Sequence, residues 1–497
     1  MYNGPRFVMS IKIETNKMQE DVLNHDYFKC NRLYNNGARY TIKQVAQIKR
    51  TRQYKNIIKL LKKTKEKEDR GPLYLEIKDL MVKHKITKSD IEKYMKEGNK
   101  KAFSKTISSD VFQTLAKELY LSAESSLFKG TDISYRKFGE TNTLSSKAAK
   151  RTIIFNKDNH SFKYKGLVFK LKAIRDKDYY AHEALENEVI FCKIVRKLIN
   201  AKYVYYLQII FKGLPPKKIE KGQGRLGIDQ GTSTIAIYSK DRIDFIELAP
   251  KVKEYNKEIL KLQRQIERKR RINNPGCFND NGTIKKGSKF KNSNRYKKAV
   301  LELRDAYRRK TDYVKSEHNK IAKLIVGHCD TLVKETVNFK ALQKRSKRPL
   351  ERQDKRSEVK DKNGNIKKVY KFKRKKRFGR SLNNHSPGYL DAQILKRSGE
   401  LGVKVVEVDM LKYRASQYRH DKNDYVKVKL GDRCKEINGQ KVQRDLYSAF
   451  LLYNFKDEET IDRDKCVDEF DNFIRQQNIL IKNVKDNTGN FDLKNFK

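Results

Sequence analysis

The feature that most constrains the fold is the stretch 226-LGIDQGTSTIAIYS-239, near the middle of this 497-residue chain. An apolar run ends at Asp229, a Gly-Thr turn follows, and a second β-rich run begins at once. Three later runs are also typical of strands, with a helical pattern between the last two; they are 243-IDFIEL-248, 331-TLVKE-335 and 403-VKVVEV-408. This alternation predicts an α/β domain in the second half of the chain.

Three acids stand at the ends of these predicted elements. Asp229 and Glu335 end apolar strands, and Asp445 opens the helical pattern 444-RDLYSAFLLY-453. A strand end and a first helical turn hold a carboxylate rigidly, and the helix dipole favours its charged form. Three such groups, if they converge, can bind two Mg²⁺ or Mn²⁺ ions. Singly, Asp229 is equally explained as a turn residue and Asp445 as an ordinary helix start.

The charge of the chain favours a polyanionic partner. It has 115 Lys and Arg against 61 Asp and Glu, a net charge of +54, and nucleic acid is the simplest explanation. A membrane surface is not favoured, because no amphipathic helix concentrates the basic residues. The most apolar run, 203-YVYYLQIIF-211, is too short to cross a bilayer and predicts a buried strand. The first residues show no apolar signal core, so we expect a cytoplasmic protein.

The turn at Asp229 fits two chemistries. Sugar kinases and actin-like ATPases carry an Asp-x-Gly-Thr turn after their first strand, and RuvC-type nucleases carry their first carboxylate there. The kinase pattern places this turn near the start of its domain and needs a second glycine-rich Asp-x-Gly turn. About 225 residues precede the turn here, no second phosphate loop follows, and ATP binding does not require such a basic chain. The sequence therefore favours the nuclease.

The rest of the chain divides into segments with strand-like and helix-like sequence patterns. A strand is predicted over 5–15, helices over 30–125, and strands from about 130 to 222, including 152–155 and 163–172. Long charged helices after residue 248 predict a helical hairpin with its loop at 272–296. The stretch 344–380 holds 18 Lys and Arg against 4 acids, and its Asn363-Gly364 predicts a hairpin turn. We interpret it as facing nucleic acid, with a disordered basic loop or a nuclear address as alternatives.

Candidate nucleic-acid contacts follow from basic and aromatic residues lying side by side. Tyr34, Tyr40 and Tyr54 could stack on nucleotides, although core packing is the interpretation we favour for each. The residues selected as candidate contacts are Arg50, Arg52, Tyr54, Lys55, Lys269, Arg271, Lys373, Arg374, Arg377 and Arg380.

The stretches around the three acids resemble, in this order, the RuvC nuclease domain of TnpB, the RNA-guided nuclease encoded by insertion sequences, and of the related compact type V CRISPR effectors. They are 227-GIDQGTSTIAIYS-239, 333-VKETVNF-339 and 443-QRDLYSAFLLYNF-455. The resemblance implies a multidomain protein with an α/β RNase H-like (RuvC) nuclease domain, a β-barrel-like wedge domain and a helical recognition lobe. The implied bounds are 1–29 and 131–222 for the wedge domain, 30–130 for the recognition lobe, 223–413 for the nuclease domain with its inserted helical hairpin, 414–442 for a cysteine-poor target-nucleic-acid-binding insert, and 443–497 for the end of the nuclease domain and the C-terminal tail.

By this resemblance Asp229, Glu335 and Asp445 are the catalytic and metal-binding acids, with two Mg²⁺ or Mn²⁺ ions. It implies an RNA-guided DNA endonuclease that binds a guide RNA and opens double-stranded DNA beside a short adjacent motif. A single site would then cut by two-metal catalysis, and the displaced single strand is a further partner. No membrane partner is expected, and the expected location is the bacterial cytoplasm or nucleoid. The alternatives are an RNA-guided DNA-binding protein or repressor without cleavage, and a non-guided nucleic-acid-binding transposon protein.

The insert before the third acid departs from the family pattern, which usually has a zinc ribbon with two Cys-x-x-Cys pairs. Residues 415–445 contain one cysteine, Cys434. Together with His420 it would supply at most two of the four ligands that a structural zinc needs. The six cysteines of the chain also show no paired spacing, which fits a reducing compartment.

We therefore predict that the insert folds without zinc. Elemental analysis of the purified protein by mass spectrometry should find zinc far below one equivalent per chain after dialysis against a chelator. One tightly held zinc per chain would show that the remaining ligands come from elsewhere in the sequence.

Overall fold

The computed structural model describes residues 4–64, 68, 70–97, 107–137, 139–200, 202–217, 219–343, 351–360, 365–372, 378–427, 432–456 and 460–486. The chain has a multidomain α/β fold made of two compact units, Met1–Pro216 and Lys217–Lys497. The division lies close to the expected boundary after residue 222.

The first unit contains a helical region between strands. Its elements, in chain order, are β1 (Arg6–Glu14), α1 (Lys17–Arg50), α2 (Arg52–Lys63), α3 (Arg70–Lys83), α4 (Lys88–Glu97), α5 (Ser109–Lys129), β2 (Thr143–Ser145), β3 (Ile153–Asn156), β4 (Ser161–Tyr164), β5 (Leu167–Leu171), α6 (Tyr179–Leu185), β6 (Val189–Ile199) and β7 (Lys202–Lys212). The helical region thus begins at Lys17, and the expected boundary between residues 29 and 30 falls inside α1.

Strand β1 joins the two halves of the sheet in this unit. Its residues 6–12 pair with β7, and Ile13 and Glu14 pair with β5. The resulting order is β2-β6-β7-β1-β5-β4-β3. In the described residues this sheet is open, since no ladder joins its short edge strands β2 and β3. The expected barrel-like domain is therefore an open sheet in the described residues, because its edge strands do not pair with each other.

The run 163–172, predicted as one strand, is two strands joined by a tight turn. Tyr164 pairs with Leu167, and Lys165 and Gly166 between them have φ angles of 51° and 77°. Two consecutive positive φ values are those of a type I′ hairpin turn. The Lys-Gly pair therefore reverses the chain inside a segment that the hydrophobic pattern alone treats as continuous.

The second unit alternates strands and helices. Its elements are β8 (Arg225–Gln230), β9 (Thr234–Ser239), β10 (Arg242–Glu247), α7 (Val252–Ile272), α8 (Asn294–Val326), β11 (Thr331–Glu335), α9 (Phe339–Leu342), β12 (Glu351–Lys360), β13 (Ile366–Phe372), α10 (Gly379–His385), α11 (Pro387–Leu401), β14 (Lys404–Val408), α12 (Met410–Tyr413), β15 (Tyr418–Arg419), β16 (Asp424–Tyr425), β17 (Cys434–Ile437), β18 (Gln440–Gln443), α13 (Arg444–Tyr453), β19 (Phe455–Lys456), β20 (Thr460–Ile461) and α14 (Arg463–Asp486). The predicted α/β pattern is confirmed.

The main sheet of this unit has the order β10-β9-β8-β11-β14. Strands β8, β11 and β14 are parallel. Strand β9 runs in the opposite direction, and β10, which is antiparallel to β9, runs in the same direction as β8. Alternate residues bury opposite faces. Leu226 and Ile228 of β8 pack with α8 and α11 on one face, and Ala236 and Tyr238 of β9 pack with α13 and α14 on the other.

The predicted helical hairpin is formed by α7 and α8, which pack against each other. The predicted basic hairpin is present as the antiparallel pair β12 and β13, in which Lys360 is opposite Ile366. Its turn residues Asn363 and Gly364 lie outside the described residues.

The predicted insert, 414–442, contains the short hairpins β15–β16 and β17–β18. His420 is buried, and its backbone and ring nitrogens lie 3.1 and 2.7 Å from the Tyr447 hydroxyl. The Lys435 ammonium lies 4.1 Å from the centre of the same ring and donates to the Tyr418 carbonyl at 3.2 Å. Polar contacts with Tyr447 thus attach this segment to the helix that carries Asp445.

Helix α13 lies directly on strand β8, and Gly227 permits this contact. A Cβ placed on Gly227 would overlap the Ala449 carbonyl oxygen and the Tyr453 amide nitrogen of the helix. These are backbone atoms, which cannot move aside as a flexible side chain can. Gly227 is therefore needed for the close approach of helix and strand.

We expect Gly227→Ala to destabilise the protein by about 1–3 kcal/mol, because the added methyl group must push α13 away from the sheet. Thermal unfolding followed by circular dichroism measures this as a lower Tm. Gly399→Ala is the matched control, since Gly399 lies exposed in helix α11 and a Cβ there meets no atom within 4 Å. The control should be neutral or slightly stabilising. Equal Tm values for both variants would contradict the close-contact interpretation.

Candidate active site

Asp229 and Glu335 lie at the carboxyl ends of the neighbouring parallel strands β8 and β11. Lys334 pairs with Ile228, so the two acids occupy the next position on each strand, about 4.8 Å from one strand to the other. Residues two apart share a face, so Asp229 points to the side of Gly227, which α13 covers. The structure therefore brings these two predicted acids to one edge and one face of the sheet.

Asp445 lies in the first turn of α13, the helix that covers this face. The helix start is fixed by Gln443, whose Oε1 accepts the Leu446 amide proton at 2.7 Å. Ser448, one turn after Asp445, is buried. Its hydroxyl donates to the Arg444 carbonyl at 3.0 Å and lies close enough to the Asp229 carboxylate to lower the pKa of that group. Helix α13 thus places Asp445 and Ser448 over the end of strand β8.

Burial and mutual repulsion raise the pKa of the strand-end acids. Removal from water raises the pKa of Asp229 well above its usual range, and the charges of Glu335 and Asp445 raise it further. Arg444 and the Ser448 hydroxyl oppose this shift. Burial also raises the pKa of Glu335. Both carboxylates are therefore ionised near neutral pH only at a cost in free energy, which a nearby cation would reduce.

Asp445 is held by arginines. Nε and Nη2 of Arg444 donate to its Oδ1 at 3.1 and 3.0 Å, and Nη1 of Arg433 lies 3.9 Å from its Oδ2. Carboxylate oxygens are the donors that Mg²⁺ and Mn²⁺ prefer, so the three acids fit these ions in kind. Across the described residues, however, no three His, Cys, Asp or Glu side chains are grouped so as to hold an ion.

The turn that follows Asp229 is anchored to α10 and α11. Gln230 is buried, and its Nε2 donates to the Pro387 carbonyl at 2.8 Å. The Ser381 hydroxyl donates to the Thr232 hydroxyl at 3.1 Å. These contacts restrict the backbone on the C-terminal side of Asp229, as the strand pairing does on its N-terminal side.

Three residues of this site were not identified from the sequence, namely Gly227, Arg444 and Ser448. Ser448 follows Asp445 by three residues, and that spacing alone places both on one side of a helix. The role of Gly227 depends on the helix that packs against it. The direction of Arg444 depends on the insert, because its Nη1 donates to the Asp432 carbonyl at 3.1 Å.

The candidate nucleic-acid contacts lie in different surroundings. Lys269 and Arg271 make contacts inside the α7–α8 hairpin. Lys373, Arg374 and Arg377 lie outside the described residues. Among the described members of the set, Arg50, Arg52, Lys55, Arg271 and Arg380 are exposed.

The three tyrosines considered for base stacking are packed in the first unit. The Tyr54 ring is buried, and its hydroxyl donates to the Leu127 carbonyl at 2.8 Å. Tyr34 is buried beneath the guanidinium of Arg136, 3.6 Å from its ring centre. Tyr40 is stacked on another tyrosine at 4.3 Å. The favoured interpretation, core packing, is confirmed for Tyr34 and Tyr54.

Comparison with known proteins finds similarity among solved structures. No protein-family profile and no curated protein matches the chain. A Cas12f1–sgRNA–target DNA complex is 11% identical, with a TM-score of 0.42 over 91% of this chain and 99% of that chain. A CRISPR-Cas12f ternary complex is 12% identical, with a TM-score of 0.27 over 89% and 86%. The mini-RNA-guided endonuclease CRISPR-Cas phi3 is 10% identical, with a TM-score of 0.35 over 91% and 92%.

These matches extend over most of this chain and of each of those chains. All three TM-scores lie below 0.5, and the function proposed below rests on the residues of this chain. None of the helices in the described residues combines the length and the apolar character needed to cross a bilayer.

We expect Asp229→Asn to stabilise the protein in the absence of divalent cations. A carboxyl whose pKa is raised on folding binds more protons in the native state, so its contribution to stability falls as pH rises from its unfolded towards its folded pKa. Removing it should therefore raise the Tm by about 2–4 °C at about pH 8, a gain on the order of 1 kcal/mol. The gain should shrink as the pH falls towards about 4, where the carboxyl of the unfolded chain also begins to be protonated.

Differential scanning fluorimetry in a chelating buffer, over this pH range, measures the effect. Asp330→Asn is the control, because hydrogen bonds from Thr331 and the Gly224 amide lower the pKa of Asp330. That substitution should not raise the Tm at any pH. An unchanged or lower Tm for Asp229→Asn at alkaline pH would mean that the carboxylate is not under electrostatic strain.

Proposed function

We propose that this chain is an RNA-guided DNA endonuclease with one active site, formed by Asp229, Glu335 and Asp445 in an RNase H-like (RuvC) domain. The observation that carries the proposal is the placement of two acids of raised pKa on adjacent parallel strands, beneath the first turn of a helix that bears the third. Such a cluster is costly in a structural role and is suited to holding cations.

The strand order and directions of the sheet support this domain assignment. A central parallel strand carries Asp229, with an antiparallel pair on one side and parallel strands on the other, which is the arrangement of RNase H-like folds. In such a sheet, substrates bind outside the carboxyl ends of the parallel strands. Asp229 and Glu335 occupy those ends. In the first unit, helices α1–α5 are the proposed recognition lobe and the open sheet is the proposed wedge domain.

In the proposed reaction the carboxylates hold the metal site and the phosphodiester meets it at the sheet edge. Two Mg²⁺ or Mn²⁺ ions, when bound, supply an activated water and neutralise the charge on the leaving oxygen. Asp229 and Glu335 provide oxygens from the rigid strand ends. Arg444 engages only Oδ1 of Asp445 in its 3.1 and 3.0 Å hydrogen bonds, so Oδ2 is the oxygen through which Asp445 would act.

The net charge of +54 supports the nucleic-acid part of the proposal. The proposed partners are a guide RNA, double-stranded target DNA opened beside a short adjacent motif, and the displaced single strand. Base pairing with the guide reads the target sequence, and the protein reads the adjacent motif and the shape of the heteroduplex. The proposed place of action is the bacterial cytoplasm.

Asp229→Ala should abolish cleavage while leaving guide and target binding within a few-fold, because Asp229 contributes to the chemistry and, as an acid, is not expected to hold phosphates. The protein, expressed with its native flanking DNA, is purified, its RNA is sequenced, and cleavage of a matching DNA is measured with Mg²⁺. A single dominant RNA with a structured scaffold and a variable end supports the guided function. Wild-type cleavage by Asp229→Ala would show that the assigned site is wrong.

The remaining outcomes separate the alternatives. Guided binding by the wild-type protein without cleavage would indicate a repressor. Random cellular RNA that is removed by salt would indicate a non-guided nucleic-acid-binding protein. Glu335→Ala provides an independent check, since loss of either strand-end acid should have the same effect.

A further inference from the structure

The basic residues of helix α7 fall into two sets according to their position around the helix. Arg270 and Arg271 both pair with Glu267, at 3.5 and 3.0 Å. Their guanidinium groups also cover the rings of Phe290 and Phe278, at 4.4 and 4.5 Å from the ring centres. These two arginines hold the loop of the hairpin to the end of α7.

Two lysines of the same helix are engaged in a similar way. Lys253 lies 3.6 Å from the Glu247 carboxylate, and Lys269 donates to the Arg295 carbonyl at 3.4 Å. We call Lys253, Lys269, Arg270 and Arg271 the paired set. Their charge is used within the α7–α8 hairpin and its neighbouring strand.

The other four basic residues form a continuous row, which we call the basic stripe: Lys257, Lys261, Arg264 and Arg268. All four are exposed, and none has a hydrogen bond, ion pair or ring contact within the described residues. Their spacing of four, three and four residues places them on one side of the helix over about 16 Å. With Leu260 and Glu267 they line an open groove of about 820 Å³.

The basic stripe is electrostatically unfavourable in the protein alone. Like charges three or four residues apart on a helix repel one another. The one acid of the groove, Glu267, is already engaged by Arg270 and Arg271. A bound polyanion that contacts the whole row would remove this repulsion.

The chemistry of the stripe points to a sugar–phosphate backbone. Proteins that bind bases of single strands combine positive charge with aromatic stacking platforms. Among the described residues, the side chains that line the groove of the stripe include no aromatic residue. Lysine and arginine in a row neutralise phosphates without reading sequence. The stripe therefore fits a paired, structured nucleic acid contacted along one strand.

We propose that the basic stripe of α7 binds the backbone of a paired segment of the guide RNA. This inference rests on the proposed function. The row of like charges is preformed on a rigid helix, so its repulsion is relieved only while a partner stays bound. In the proposed function the guide remains with the protein between targets, and we therefore choose RNA over target DNA. The paired set takes no part in this contact.

The test compares two quadruple variants of equal charge. The stripe variant carries Lys257→Gln, Lys261→Gln, Arg264→Gln and Arg268→Gln. The control variant carries Lys253→Gln, Lys269→Gln, Arg270→Gln and Arg271→Gln. Affinity is measured by fluorescence anisotropy as a function of salt concentration, with the RNA that copurifies with the protein, with a 20-base-pair RNA duplex, and with a DNA duplex of the same sequence.

For the copurified RNA and the RNA duplex, the stripe variant should reduce the slope of log affinity against log salt by about 3, since each phosphate contact contributes about 0.7–0.9. The control variant should change that slope by less than about 1. In the absence of nucleic acid, the stripe variant should melt at or above the wild-type temperature, and the control variant should melt below it. These opposite changes in Tm separate lost contacts from lost folding.

Equal slope changes for both variants would overturn the proposal, because charge alone would then explain them. A change seen only with the DNA duplex would also overturn it and assign the stripe to target DNA. If no dominant RNA copurifies but the stripe variant alone loses RNA-duplex binding, RNA binding by the basic stripe is supported and the guided function is contradicted. If a dominant RNA copurifies and the stripe variant does not change the slope of its log affinity against log salt, the guided function is supported and RNA binding by the basic stripe is contradicted.

Discussion

The geometry of the candidate site depends on the contact between helix α13 and strand β8 at Gly227. Because Gly227 has no side chain, the Ala449 carbonyl and the Tyr453 amide lie directly on the strand. This approach brings the first turn of α13 over the strand end that carries Asp229. A larger residue here would leave the pairing of β8 and β11 intact while moving Asp445 away. The position of the third acid is therefore a property of helix packing, and that of the first two is a property of the sheet.

The charges around the sheet explain why the strand-end acids are strained. Lys334 immediately precedes Glu335, yet it points to the opposite face, where it pairs with Asp391 and Glu407 at 2.9 and 3.1 Å. Because successive side chains of a β-strand point to opposite faces, the ammonium group of Lys334 is directed away from the Glu335 carboxylate. Arg444, the cation that does reach the site, is bonded to Asp445. Among the described residues, Asp229 and Glu335 have no ion pair of their own, an arrangement that suits the proposed metal-binding role.

Sequence reasoning identified what local pattern determines and missed what packing determines. The ends of apolar strands located Asp229 and Glu335, and the apolar face of α13 located its start at Asp445. The edge shared by the first two acids follows from parallel pairing, which the α/β alternation already implied. Whether three acids form a metal site stays a proposal. The pairing of Arg444 could not be read from the sequence, because it depends on a carbonyl of the insert. The open sheet of the first unit could not be read either, because closure depends on whether its edge strands β2 and β3 pair.

The same limit applies to the basic residues, and it shows what composition alone can establish. A net charge of +54 indicates a polyanionic partner but does not show which side chains contact it. From the sequence, Lys269 and Arg271 were as suitable for such a contact as Lys261 or Arg264. The position of each residue around the helix distinguishes the two groups. The arginines that face the hairpin loop form ion pairs with Glu267 and lie over the rings of two phenylalanines. The cations facing away retain their repulsion. On α7, the cations that hold the hairpin together are therefore different residues from the cations that are left for a partner, so stability and proposed binding can be changed separately.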